Sequence, residues 1–267
     1  MGSTLVRPEF PLVMGIINTT PDSFHTASRH VDLNSALQTA ESMAAEGAAI
    51  LDIGGASSRP GSTAVPEALE LERVLPVVQS IRKHFPSIVI SIDTWRAAVA
   101  KEAVAAGANM VNDISAGRSD PDMLATVARL NVPYIMMHMQ GEPRTMQTAP
   151  FYTNVLAEVL HFLAQRALAA RQAGIADVLV DPGFGFGKDA QQNFALLAGL
   201  PALCNLGMPV LVGLSRKRMI NETLGTLPAE ALNGTTVLNT RALHAGASIL
   251  RVHDVREAVQ AVKLMGR

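Results

Sequence analysis

Short apolar runs in this chain end, one after another, in polar residues able to bind or polarise a substrate. Asn18 follows LVMGII (12–17), Asp52 lies in AILDIG (49–54), Asp93 closes IVISID (88–93), and Asn112 and Asp113 close MVND (110–113). His138 closes PYIMMH (133–138), and Asp181 lies in VLVDPG (178–183). Ser215, Arg216 and Lys217 follow PVLVG (209–213), and Arg251 and His253 stand in SILRVH (248–253). Arg59, Lys217, Arg251 and His253 make a cationic set suited to phosphate or diphosphate, to which arginine offers bidentate contacts. Asp93, Asn112 and Asp181 make an acceptor-rich set suited to a ring edge that carries several N–H donors. Together they describe a ligand anionic at one end and donor-rich at the other.

Such groups meet only if the runs are strands opening on one mouth. The eight runs alternate with about eight amphipathic, Ala-rich stretches, such as 33–47, 95–107 and 151–174, each closing on glycine. Several runs are continuous Val/Ile/Leu, as in parallel strands buried on both faces. Strict alternation implies right-handed βαβ crossovers and a parallel sheet. Eight units within 267 residues, with no Pro/Ser/Gly-rich linker, predict one α/β domain over 1–267, a (β/α)8 TIM barrel. In that fold the C-terminal strand ends carry the chemistry. Any one polar strand end has a plainer reading as a helix cap, and Asp93–Thr94 before WRAAV, Asp113 and Asp254 all fit it. Polar groups at all eight ends favour a shared mouth, because capping needs only the next helix.

Composition removes other classes. A formal net charge of −1 and 4% aromatic residues suit neither an electrostatic nucleic-acid binder nor a single-strand stacking platform. No apolar run approaches the ~20 residues of a membrane span, and MGSTLVRPEF has no signal-peptide core. The single cysteine, Cys204, fits a reducing compartment. The expectation is a cytoplasmic enzyme acting on small molecules, with neither nucleic-acid nor membrane partners.

Other motifs carry less. DPGFGFGKD (181–189) lacks Walker A spacing and the hydroxyl after Lys188, so its glycines suit a tight turn close to a ligand. GLSRK (213–217) lacks the second glycine of a nucleophile elbow. Met136, Met137 and Met139 read as core, with one edge towards a flat ring. His84, His161 and His244 fall in helical patterns and read as surface residues, and Cys204 reads as an inert thiol. No cluster has zinc spacing. Mg2+ held by Asn18 and ligand phosphate would leave little trace, since that ion binds through few protein groups.

MGIINTTPDSF (14–24), DIGGASSRPG (52–61), SIDT (91–94), VNDI (111–114), LVDPGFGFGK (179–188), LVGLSRK (211–217) and LRVHDV (250–255) resemble the successive motifs of the dihydropteroate synthase family. The resemblance spans nearly the whole chain, in the family's order. It implies condensation of (7,8-dihydropterin-6-yl)methyl diphosphate with 4-aminobenzoate, a homodimer and a sulfonamide target, with Mg2+ held through Asn18. It places Asp93, Asn112, Asp181, Gly213 and Lys217 on the pterin, lined by Phe186 and by Met136 or its neighbour Met137. Asn18, Arg251 and His253 match the diphosphate site, and Phe24, Ser58, Arg59, Pro60 and Ser215 the 4-aminobenzoate region. Thr20, Pro21 and Asp22 match the closing loop, and the catalytic set it implies is Asp93, Asp181, Lys217 and Arg251.

The chain departs from the family pattern in three places. His25–Ser28 replace an acidic, glycine-bearing stretch, while Ala56 and Ser58 stand for Glu and Thr. TTVLNTRALHAG (235–246) is more polar than the family's helix there. Two rival readings use the same barrel. One is a pterin-binding paralogue with lost or altered synthase activity. The other is a methyltetrahydrofolate-dependent methyltransferase, which needs neither TPDSF nor SSRPG nor SRK.

Overall fold

The computed structural model describes residues 11–19, 28–56, 65–142 and 145–266, with the backbone alone for 28–32. Thr20, Pro21, Asp22, Phe24, Ser58, Arg59 and Pro60 lie outside the described residues. Eight strands form one sheet: β1 (Leu12–Asn18), β2 (Ile50–Gly54), β3 (Val89–Asp93), β4 (Met110–Asp113), β5 (Tyr134–Met137), β6 (Val178–Asp181), β7 (Leu211–Val212) and β8 (Ile249–Val252). Every pairing is parallel, in the order β6-β5-β4-β3-β2-β1-β8-β7. An isolated bridge, Val180↔Val210, joins the two ends and makes the sheet a barrel. The strands expected from the apolar runs all form.

The helices predicted over 33–47, 95–107 and 151–174 appear as α1 (Ser28–Glu46), α3 (Ala97–Ala106) and α5 (Val155–Gln172), and α2 (Glu67–His84) and α4 (Met123–Leu130) cross between their strands. The later crossovers are divided, so the described residues hold more helices than the eight expected. α6 (Ala190–Ala198) is followed by α7 (Leu200–Cys204), which Pro201 restarts in its first turn. α8 (Arg218–Leu224) stops at the left-handed Gly225 before α9 (Leu232–His244), and α10 (Val255–Met265) closes the chain. No helix among the described residues is long and apolar enough to cross a membrane.

Strand alternation sorts side chains into two cores. Met14, Ile50, Met110, Ile135, Leu179, Leu211 and Ile249 point inward and fill the barrel's lower half. Their sequence neighbours, including Leu51, Val111, Tyr134, Met136, Val180 and Leu250, point outward under the helices. Burying each such aliphatic chain contributes about 1.5–3 kcal/mol. Two residues further along β2, β4, β6 and β8, the inward-facing apolar side chains give way to Asp52, Asn112, Asp181 and Arg251. That change of layer is where the site begins.

Candidate active site

Parity decides which polar residues meet. Ile50 faces inward, so Asp52 does too; the same step leads from Met110 to Asn112, from Leu179 to Asp181 and from Ile249 to Arg251. One pocket is lined by Asp93, Asn112, Asp181, Gly213, Lys217 and Arg251, with Ile114, Met137, Phe184 and Phe186 as its apolar walls. The structure thus assembles much of the expected ring-binding set in one place.

Arg251 organises the floor. Its Nε donates to Asp52 Oδ2 at 2.6 Å and its Nη2 to Asp93 Oδ2 at 2.7 Å. Asn112 Nδ2 donates to the same Asp52 oxygen at 3.0 Å. Burial pulls the Arg251 pKa down, but Asp52 and Asp93 outweigh it and hold the guanidinium charged. Burial raises the Asp93 pKa to about 7, against the opposing pull of Arg251 and with help from the negative Asp52. Burial raises Asp181 as well, while the N–H of Gly183, 2.7 Å from Oδ1, favours its ionised form. Burial lowers Lys217 to about 8, with Arg251 adding to it. Its Nζ stands 4.3 Å from the centre of the Phe186 ring, a cation–π contact at the edge of the pocket.

The glycine-rich segment after β6 makes the expected tight turn, with the Phe186 N–H on the Gly183 carbonyl at 3.1 Å, and its glycines also allow a close approach of backbone to backbone. It approaches the backbone after β5: a Cβ on Gly183 would sit 1.8 Å from the His138 carbonyl oxygen, and one on Gly187 2.4 Å from that of Gln140. Lys188 turns into this loop and donates to the carbonyls of Gly183 at 2.9 Å and Phe186 at 3.1 Å, lying 3.0 Å from His138 Nδ1. Burial lowers Lys188 to about 7 and His138 to about 3. Both are buried, and neither lines the pocket; His138 meets the edge of Phe162 at 4.9 Å instead. The polar end of β5 therefore supports the loop that carries Phe184 and Phe186.

Several other expectations change. Met136 does not line the pocket: it packs in the outer core, and Met137, one residue on and facing inward, takes that place with Ile114, Met139, Met146 and Phe186. Asp93 caps no helix, since it binds Arg251, and the N–H of Ala97 goes to Asp120 Oδ2 at 2.7 Å. Asp113 faces outward and organises its own loop, accepting from Tyr134 Oη at 2.6 Å and from Ser115 N at 2.7 Å. Asp254 makes no side-chain cap to α10; it pairs with Arg216 at 2.7 Å, which draws that arginine away from the pocket. His253 is exposed and touches Ser215 Oγ through Nδ1 at 3.0 Å. Desolvation, then Arg251, lower its pKa to about 4, so it is neutral near pH 7 and not part of a cationic set. Asn18 stands exposed at the end of β1, in register with Gly54.

Four participants carried no specific role in the sequence. Asp52 stood among the polar strand ends but in neither ligand-binding set, although its spacing of two from Ile50 marks it as inward. Ile114 and Phe184 line the pocket from loops whose path only the fold defines. Glu70, wholly buried on α2, accepts from Thr94 Oγ1 at 2.7 Å and pairs with Arg96, fixing the chain just after Asp93.

A (β/α)8 barrel with an acid- and amide-lined pocket at its mouth is the architecture of pterin-binding enzymes. The sequence profile described as "Pterin binding enzyme" matches residues 14–253, and the chain belongs to that family. Within it, the dihydropteroate synthase of Escherichia coli K12 is 44% identical over 257 residues, covering 96% of this chain and 90% of its own. The Xanthomonas albilineans dihydropteroate synthase with 4-aminobenzoic acid superposes with a TM-score of 0.89 at 47% identity, covering 96% of this chain and 92% of that one. The same enzyme in complex with 7,8-dihydropteroate gives 0.85 at 45% identity, with the same coverage. The function is that of a dihydropteroate synthase, a transferase.

Proposed function

We propose that the chain condenses (7,8-dihydropterin-6-yl)methyl diphosphate with 4-aminobenzoate, releasing diphosphate and 7,8-dihydropteroate. The observation that carries this reading is the convergence of Asp93, Asn112 and Asp181 on one pocket beside Lys217 and Arg251. Three acceptor groups suit the donor-rich edge of a dihydropterin, and Phe186 and Met137 suit its faces. The bond from the pterin methylene to diphosphate breaks with its electron pair on the leaving oxygen. Carboxylates at Asp93 and Asp181 stabilise the cation delocalised into the ring, and Lys217 and Arg251 offset the leaving anion. The arylamine lone pair then forms the C–N bond, and its proton leaves to solvent. An arylamine is a free base near pH 7, so the step requires no general base from the protein.

Mg2+ fits the exposed end of β1 in one respect: Asn18 offers a hard amide oxygen there, and this ion commonly takes few protein ligands beside phosphate and water. When bound, it would neutralise charge on the leaving diphosphate. Neutral His253 and its partner Ser215 lie on the β7–β8 side of the mouth and would donate to that anion or to the 4-aminobenzoate carboxylate. Sulfonamides imitate 4-aminobenzoate and would compete with it. Exposed Leu224, Leu227 and Val237, on and beside α8 and α9, support a homodimer through that face, and the reaction suits the cytoplasm.

The test is product formation from both substrates with and without Mg2+. Dihydropteroate that accumulates with the metal and stops on its removal is the expected result. Pterin binding without product would favour the paralogue reading, and methyl transfer from a folate to a corrinoid the methyltransferase.

A further inference from the structure

Asp52 is fully buried and does not line the pocket, yet it contacts two residues that do. Its Oδ2 accepts from Asn112 Nδ2 at 3.0 Å and from Arg251 Nε at 2.6 Å. An ionised carboxylate only accepts hydrogen bonds, so the NH2 of Asn112 must face Asp52. The amide oxygen is then turned away from Asp52, towards the pocket. Asp52 likewise fixes Arg251 along the Nε edge, which leaves Nη2 for Asp93. Asp52 Oδ1 and the hydroxyl of Ser91, its register partner on β3, are both buried and without partners.

We propose that Asp52 is a positioning and specificity-determining residue, which makes the Asn112 wall of the pocket an acceptor and so selects rings bearing an N–H there over rings bearing a bare nitrogen. The idea rests on the pterin reading of the pocket, but it adds a residue that touches no ligand. A neutral amide at position 52 could donate as well as accept. Asn112 would then be free to turn over, and selectivity would fall more than affinity.

The test measures equilibrium binding by the full chain of paired rings, the second member of each pair lacking N–H donors that the first carries. The pairs are 7,8-dihydropterin against pterin, pterin against 4-hydroxypteridine, and guanine against 6-chloroguanine. In the unaltered protein the donor-bearing ring of the pair that addresses Asn112 binds more tightly. The isosteric Asp52→Asn should narrow that ratio about tenfold, the scale of one hydrogen bond to a charged or orientationally fixed group. Combining Asp52→Asn with Asn112→Asp exchanges the two roles, placing a donor at position 52 and an acceptor-only group at 112, with the layer's charge unchanged. This double variant should restore the ratio. If Asp52→Asn does not fold, the double variant carries the test alone, and a lost preference in it overturns the proposal. A common loss of affinity that leaves all three ratios unchanged would reduce Asp52 to a structural role and also overturn it. Failure of every pterin to bind the unaltered protein would instead remove the pterin reading, and the proposal with it.

Discussion

Gly213 shows how one residue can serve the pocket and nothing else. A Cβ there meets no atom within 4 Å, and its φ does not lie in the left-handed range. Gly213→Ala should therefore alter stability by less than ~0.5 kcal/mol. The added methyl occupies ligand space, and pterin affinity should fall about tenfold or more; parallel denaturant melts and binding titrations check both halves. Asp93 supplies a second outcome at this scale. A pterin N–H requires the ionised carboxylate, so with a pKa of about 7 binding should tighten as pH rises through that value. Titration of pterin affinity over pH should show that step, and Asp93→Asn should remove it. Stability runs the other way. The folded state holds this proton more firmly than the unfolded chain, so the group's contribution falls as pH rises from the ordinary carboxylate range through about 7.

At the scale of one strand, β5 separates packing from binding in adjacent methionines. Met136 lies wholly buried under the helices, while Met137 reaches the pocket. Met136→Ala should cost about 2–5 kcal/mol of stability and little pterin affinity per folded molecule. Met137→Ala should do the reverse, with weaker pterin binding the larger effect; urea midpoints and binding constants of the two variants decide it. The pair also shows what was readable beforehand. Two methionines in sequence are chemically alike, and only the parity set by Ile135 in the barrel floor separates them. His138 was misread for a related reason. Its strand-end position announced the mouth, but its ring is buried between Phe162 and Lys188.

Across the whole molecule, the barrel is weakest at its closure. β1 and β2 share five register pairs, whereas β6 meets the β7 side through the single Val180↔Val210 bridge and the Val180 N–H on the Pro209 carbonyl at 3.0 Å. The pocket straddles this seam, with Asp181 on one side and Gly213 and Lys217 on the other. Amide exchange should be faster at Val180 than in β1, and saturation with a pterin should slow it. Equal protection of the two strands without ligand would contradict this.

Eight apolar runs, their regular spacing and the polar residue ending each were enough to determine the barrel and most of the pocket. Period-2 burial and obligatory crossovers leave few alternatives for such a pattern. Motif chemistry likewise pointed to a ligand donor-rich at one end and anionic at the other. Tertiary structure alone decided how the charges combine. Arg251 became the tie between Asp52 and Asp93, across 199 and 158 residues of chain, where the sequence suggested a free phosphate ligand. It also made Lys188 an internal loop staple and left His253 neutral. Charge state and partner depend on burial and on distances across the barrel, which are set only when distant strand ends share one mouth.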